Sequence, residues 1–192
     1  MVLEAAVRLG AGKTGSVAKR VEQILGRLDF GRAARHLFAP PWLVPRMFPQ
    51  VVLDHIAVAV HESERRHRGE IRFALEGALE FFPVLTGLTS RQRAIELFSL
   101  LRVWDTEANT GVLIYLQLVE RQIEIVADRG IAAHISQPEW DAICHRMEKA
   151  FRAGRYEGGV VAGIEEVSEL LVRHFAAEAK NPDELSDAPV VL

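Results

Sequence analysis

Asp105, Glu107, Asn109 and Asp128 carry the side-chain oxygens in this chain that could do chemistry as a group, with Glu70 as a further member. Carboxylate and amide oxygens are the hard donors that Ca²⁺ and Mg²⁺ select, so together they would make a divalent-cation site. Arg68 and Arg129 sit beside them in sequence. Fixed positive charge there would neutralise a bound phosphoryl group. The same residues have a plainer reading. Asp and Asn cap helices and shape turns through their own side chains, and Arg129 could simply pair with Asp105. No dense D-x-D-x-D run of EF-hand type is present. No residue stands in a recognised nucleophile motif, so the attacking group of any reaction is unassigned.

The elements that would position these residues follow from apolar periodicity. From Val51 to about Arg68 a helix carries Val52, Ile56, Ala59 and Val60 and ends at Gly69. Ile71, Phe73 and Leu75 then alternate with Glu70, Arg72, Ala74 and Glu76, a strand with one apolar face. Thr89-Ser90-Arg91-Gln92 is a capping box that opens a helix with Ala94, Leu97, Phe98 and Leu101 on one stripe. Gly111 to Leu118 has the β-branched, aromatic and aliphatic content of a buried central strand. Gln122 to Ala127 reads as the second arm of a hairpin with it. A helix between two strands of one sheet implies a parallel crossover. Glu70 and Gly111 should therefore begin at one edge, and the hairpin should return Asp128 to it. A rival ligand location is the opposite edge, from Glu76 to Thr89, beyond the carboxyl ends of the parallel strands.

A second capping box, Ser136-Gln137-Pro138-Glu139, opens a helix with Trp140, Ile143, Cys144, Met147 and Phe151 on one face. The last helix, about Gly158 to Phe175, presents Val160, Ile164, Val167, Leu171 and Phe175. The pattern is an α/β domain over 48–180, preceded by an extension over 1–47 and followed by a tail over 181–192. In the extension a short helix is possible from Ser16 to Leu25, and the stretch with Pro40, Pro41, Pro45 and Pro49 cannot be one regular element. Its Phe38, Trp42, Leu43, Met47 and Phe48 are apolar enough to lie against the domain. The tail is expected to dock through Leu185 and Val190-Val191-Leu192, across the arm near Trp42.

The 192 residues, 49% hydrophobic with a net charge of −3, suit one substantial core and no nucleic-acid partner. A single cysteine, Cys144, permits no intramolecular disulfide and lies on an apolar stripe, where it reads as core. No segment approaches the ~20 apolar residues of a membrane span, and no signal peptide is apparent, so a soluble cytoplasmic protein is expected, monomeric or weakly dimeric through Trp42 to Phe48. Gly12-Lys13-Thr14 lacks the first glycine of a phosphate-binding loop, that position being Val7. His61-Glu62 lacks the second histidine of a zincin helix, because Arg65 stands there.

Several blocks together resemble the TPM family, in particular its short cytosolic branch. They are Glu62 to Phe73, Val103 to Tyr115, Ile123 to Ile131 with Asp128-Arg129-Gly130, Trp140, Phe151-Arg152-Ala153-Gly154, Gly158-Gly159, and Glu184 to Val190. The resemblance implies a Rossmann-like α/β/α sandwich with a small mixed sheet flanked by helices. It also implies acid-phosphatase activity, as in plant thylakoid members, and divalent-cation binding, as in some bacterial ones. Other members act as accessory or receptor-modulating proteins without known catalysis. A small phosphate ester or a protein partner are accordingly the two ligand classes in view. Many relatives have an asparagine directly before the glycine of the central strand, whereas Thr110 here separates Asn109 from Gly111.

Overall fold

In the computed structural model, which describes residues 28–177 and 182–192, three strands run through the middle of the domain with apolar side chains on both faces. β1 (Glu70–Glu76) and β2 (Gly111–Gln117) are parallel, with Glu70 opposite Gly111 and Glu76 opposite Gln117. β3 (Gln122–Ala127) returns antiparallel to β2, pairing Val112 with Ala127. A two-residue strand, β4 (Val190–Val191), lies parallel to β1 on its other side, so the sheet order is β3-β2-β1-β4. This is a mixed, mostly parallel α/β sheet.

Strand alternation divides the interior in two. Ile71, Phe73, Leu75, Val112, Ile114 and Leu116 face one core, shared with α3 (Gln50–Glu64), α7 (Gln137–Arg152) and α8 (Tyr156–Phe175). Ala74, Leu113 and Tyr115 face the other, closed by Ala94 and Leu97 of α5 (Ser90–Leu100). The result is helices, sheet, helix in three layers. β1 is covered on both faces, not one, because its two terminal glutamates are buried and find partners: Glu70 with backbone amides and Glu76 with Arg93.

Both capping boxes form. Thr89 Oγ1 accepts from the Gln92 amide at 3.1 Å, Gln92 reaches back to the Thr89 amide at 2.9 Å, and Glu139 does the same for Ser136. The stripe Trp140, Ile143, Cys144, Met147 and Phe151 is buried, as is Val160, Ile164, Val167, Leu171 and Phe175.

Three short helices are absent from the periodicity argument: α1 (Phe30–Leu37), α2 (Leu43–Met47) and α4 (Phe81–Leu85). Proline at the third position of the latter two is compatible with a helix too short to need its amide. Of the arm, Phe48 is buried against the edge of Tyr156, and Leu43 and Met47 are partly buried on the larger core. Phe38 and Trp42 are exposed instead, Trp42 beneath the Arg46 guanidinium. The Gly12-Lys13-Thr14 turn and the Ser16–Leu25 helix lie outside the described residues. No described helix is long and apolar enough to cross a membrane.

Candidate functional site

The edge where β1 and β2 begin is built by close backbone approach. The Glu70 amide donates to the Thr110 carbonyl at 3.0 Å, and the Asp128 amide donates to the Gly111 carbonyl at 2.9 Å. Thr110 is buried, its amide bonded to Thr106 Oγ1 and its hydroxyl to the Arg68 carbonyl. Gly111 is required here because any side chain would run into the Val103 carbonyl. Asn109 has φ of 56°, a left-handed conformation that Asn tolerates better than most residues.

On this frame the residues selected from sequence take these positions. Asn109 Oδ1 accepts from Arg129 Nε at 2.9 Å, so Arg129 binds Asn109 and not Asp105. Asp128 caps α6 (Arg129–Ala132) through the Arg129 amide at 2.6 Å, and its second oxygen is buried with no hydrogen-bond partner. Asp105 and Glu107 are exposed. The Glu107 amide donates to Glu184 of the tail at 2.8 Å. Arg68 lies in the turn between α3 and β1 and donates its amide to the Phe175 carbonyl. Asn109, Asp128 and Arg129 are thus brought together, and Glu107 is joined to the tail.

Further along the same edge the tail brings in carboxylates that the sequence reading did not place in a site. Donor atoms of Glu64, Glu70 and Asp183 lie within 4.8 Å of one another, and so do those of His61, Asp183 and Asp187. Asp183 belongs to both groups. Glu70, 1% exposed, accepts the amides of Glu184 and Leu185 on Oε2, each at 3.1 Å. Arg72 donates to the Ser186 carbonyl, and His61 Nδ1 lies 3.0 Å from Asp187 Oδ2. The tail therefore follows β1, not the arm near Trp42. Glu64 reads in sequence as the polar end of a helix, and the docking expected of the tail rested on Leu185 and Val190-Val191-Leu192, not on its acids. The usable signal was the turn at Gly69, which folds Glu64 back toward Glu70.

Electrostatics single out the two buried glutamates. Burial pushes the Glu64 carboxyl up to about 10, against the bond from the Ile71 amide, with Glu70 and Asp187 adding to the rise. Burial also raises Glu70, despite the two tail amides. A donor set of carboxylates, two of them buried and crowded, fits an oxygen-liganded divalent cation. Cys144 is not a competing centre, because burial pushes its thiol up to about 12 and it lies in the core.

Comparison with known proteins agrees with this architecture. The chain is similar to the BA42 protein of the psychrophilic bacterium Bizionia argentinensis, whose structure was determined by NMR. The two are 27% identical, with a TM-score of 0.66 over 74% of this chain and 93% of that one. No curated protein matches the chain. The profile of the TPM domain matches residues 51–170, from α3 through most of α8, and the chain belongs to the TPM domain family.

Proposed function

We propose that this protein binds Ca²⁺ or Mg²⁺ on the carboxylates of Glu64, Glu70 and Asp183 and hydrolyses a phosphate ester at that edge. The observation that carries the reading is the approach of three carboxylates to within 4.8 Å, two of them buried. A bound divalent cation supplies a Lewis acid for a phosphoryl oxygen and an acidified water. Glu64 and Glu70 present oxygens from a rigid helix end and a strand start, and Asp183 closes the set from the tail. Arg68, in the turn joining the glutamates, and Arg129, on Asn109, are the guanidinium groups on this edge that would offset phosphate charge. Asp105, Glu107, Asn109 and Asp128 extend the same edge as outer ligands or as supports of the loop.

A second reading rests on the tail. Asp183 enters both ligand groups, and Asp187 the one with His61, only while the tail is docked, so a cation there would lock the tail and serve a non-catalytic binding module. Hydrolysis of p-nitrophenyl phosphate, measured with Ca²⁺, with Mg²⁺ and with chelator, separates the two. Metal-dependent turnover that is lost in Asp183→Asn establishes the hydrolase. Calorimetric binding without turnover establishes the module, and absence of binding overturns both. Asp105→Asn and Asp128→Asn report whether the outer residues take part.

A further inference from the structure

The carboxyl ends of β1 and β2 lie at the opposite edge, where open α/β sheets usually bind ligands. Here α1, which precedes the family-matched segment, covers that edge. All three guanidinium nitrogens of Arg32 are engaged. Nε and Nη2 donate to the two carboxylate oxygens of Glu120, and Nη1 donates to the Leu88 carbonyl at 2.6 Å. One turn on, His36 holds Glu120 Oε1 at 2.9 Å through Nε2 and accepts the Leu79 amide at 3.0 Å on Nδ1. Ser90 Oγ completes the shell at 3.0 Å from Glu120 Oε2 and 2.7 Å from Gln122 Oε1. Burial alone would raise the Glu120 carboxyl, but the bonds from Arg32 and His36 outweigh it and hold it at about 2.

Apolar packing contributes little to this closure. Of α1 only Ala33 and His36 are buried, and Ala33 belongs to a small cluster with Leu79, Val84 and Leu85, separate from both sheet cores. Phe30, Leu37 and Phe38 are 60%, 58% and 79% exposed, so the large apolar residues of this segment point away from the domain. Segments with few buried apolar contacts open at lower free energy than the cores beside them. Pro40 and Pro41 then separate α1 from α2.

We propose that α1 is a releasable latch whose Arg32 is the resident occupant of a guanidinium receptor formed by Glu120, Ser90 and the Leu88 carbonyl. Release frees that receptor, together with the Leu79 amide, for a guanidinium-bearing peptide supplied from outside. A planar fork of donors meeting a carboxylate and a carbonyl is selective for Arg over Lys.

Native-state hydrogen exchange on the full chain tests this, with the Leu79 amide reporting the latch and the Ile114 amide reporting the sheet. Leu79 should exchange about tenfold or more faster than Ile114. Arg32→Ala should accelerate Leu79 by about tenfold again without changing Ile114, and Arg32→Lys should do so by less. A synthetic peptide spanning residues 28–38, added to the Arg32→Ala protein, should restore Leu79 protection, and the same peptide with its arginine at position 32 replaced should not. Exchange of Leu79 in step with Ile114 in the wild type and both variants would overturn the latch. Failure of the arginine peptide to restore protection would overturn the receptor. Because no cation or phosphate ester is present, either failure leaves the hydrolase reading intact.

Discussion

The amide of Ile71 donates a 2.6 Å hydrogen bond to Oε1 of Glu64, tying the last residue of α3 to the second residue of β1 across the Gly69 turn. This bond fixes a buried carboxyl at the mouth of the candidate cation site, and its protonation is the first thing that can be tested.

With its carboxyl pushed up to about 10 by burial, Glu64 is protonated at neutral pH, and cation uptake must displace that proton. Calorimetry in buffers of different ionisation enthalpy should register release of about one proton per cation, with affinity rising as pH rises. Glu64→Gln keeps the neutral form without the proton uptake that folding imposes on wild type at pH 7, so it should be the more stable protein there, by up to about 3 kcal/mol, while cation affinity falls about tenfold or more. In the cation-free protein the raised value stabilises the fold fully below the unfolded value near 4.5, and this contribution is lost as pH rises toward 10.

His67 acts in the opposite sense. Its ring is fully buried beside the Gly69 carbonyl, and burial holds it down at about 4. A depressed histidine contributes stability above its unfolded value of 6.5, and that stability is lost as pH falls through 6.5 toward 4. Denaturation midpoints measured across this window should fall with acid in the wild type and fall less steeply in His67→Gln.

A methyl group at Gly111 would lie 1.8 Å from the Val103 carbonyl oxygen, which backbone of this rigidity cannot relieve. Gly111→Ala should cost about 3 kcal/mol in urea denaturation. Gly158, near the start of α8, has nothing within 4 Å of that position, so Gly158→Ala should instead stabilise by about 0.5–1 kcal/mol. Equal effects at the two sites would show that backbone crowding is not what selects glycine at the start of β2.

Glu76 is a shared acceptor, receiving Arg93 Nε at 3.0 Å, Arg93 Nη2 at 2.8 Å and Tyr115 Oη at 2.6 Å. Arg93→Ala leaves a buried carboxylate without its cation and should cost about 3 kcal/mol. Tyr115→Phe removes one donor and should cost about 1–2 kcal/mol. Because both act on one carboxylate, the double variant should cost measurably less or more than the sum, and strict additivity in denaturant melts would show the contacts to be independent. Burial raises the Tyr115 phenol, with Glu76 adding to it, so ultraviolet titration should find it un-ionised for as long as the fold persists.

The long elements were legible because local signals agreed with burial: alternation in β1, the continuous apolar run of β2, capping boxes before α5 and α7, and apolar stripes on α7 and α8. The shared edge of Glu70, Gly111 and Asp128 also followed from connectivity alone. α1 was not legible, because the residues that hold it are Arg32 and His36 while Phe30 and Leu37 face outward, which inverts the usual pattern. Nor was the grouping of Glu64, Glu70 and Asp183. It depends on a tail that meets β1 more than a hundred residues later in the chain, and spacing within any window carries no trace of that.

β4 pairs only with Ala74 and Leu75 of β1, so two residues near the end of the chain stand between a buried strand and an open flank. A parallel strand with one unpaired side offers its amides and carbonyls to any extended segment that arrives. The tail thus acts as a chaperone of its own sheet edge, held by the Glu70 carboxyl and the Arg72 guanidinium as well as by β pairing. A chain whose tail is clipped, or displaced by a competitor for Glu70, would be exposed to self-assembly by strand addition, and the acidity around that edge then becomes a means of keeping copies of the protein apart.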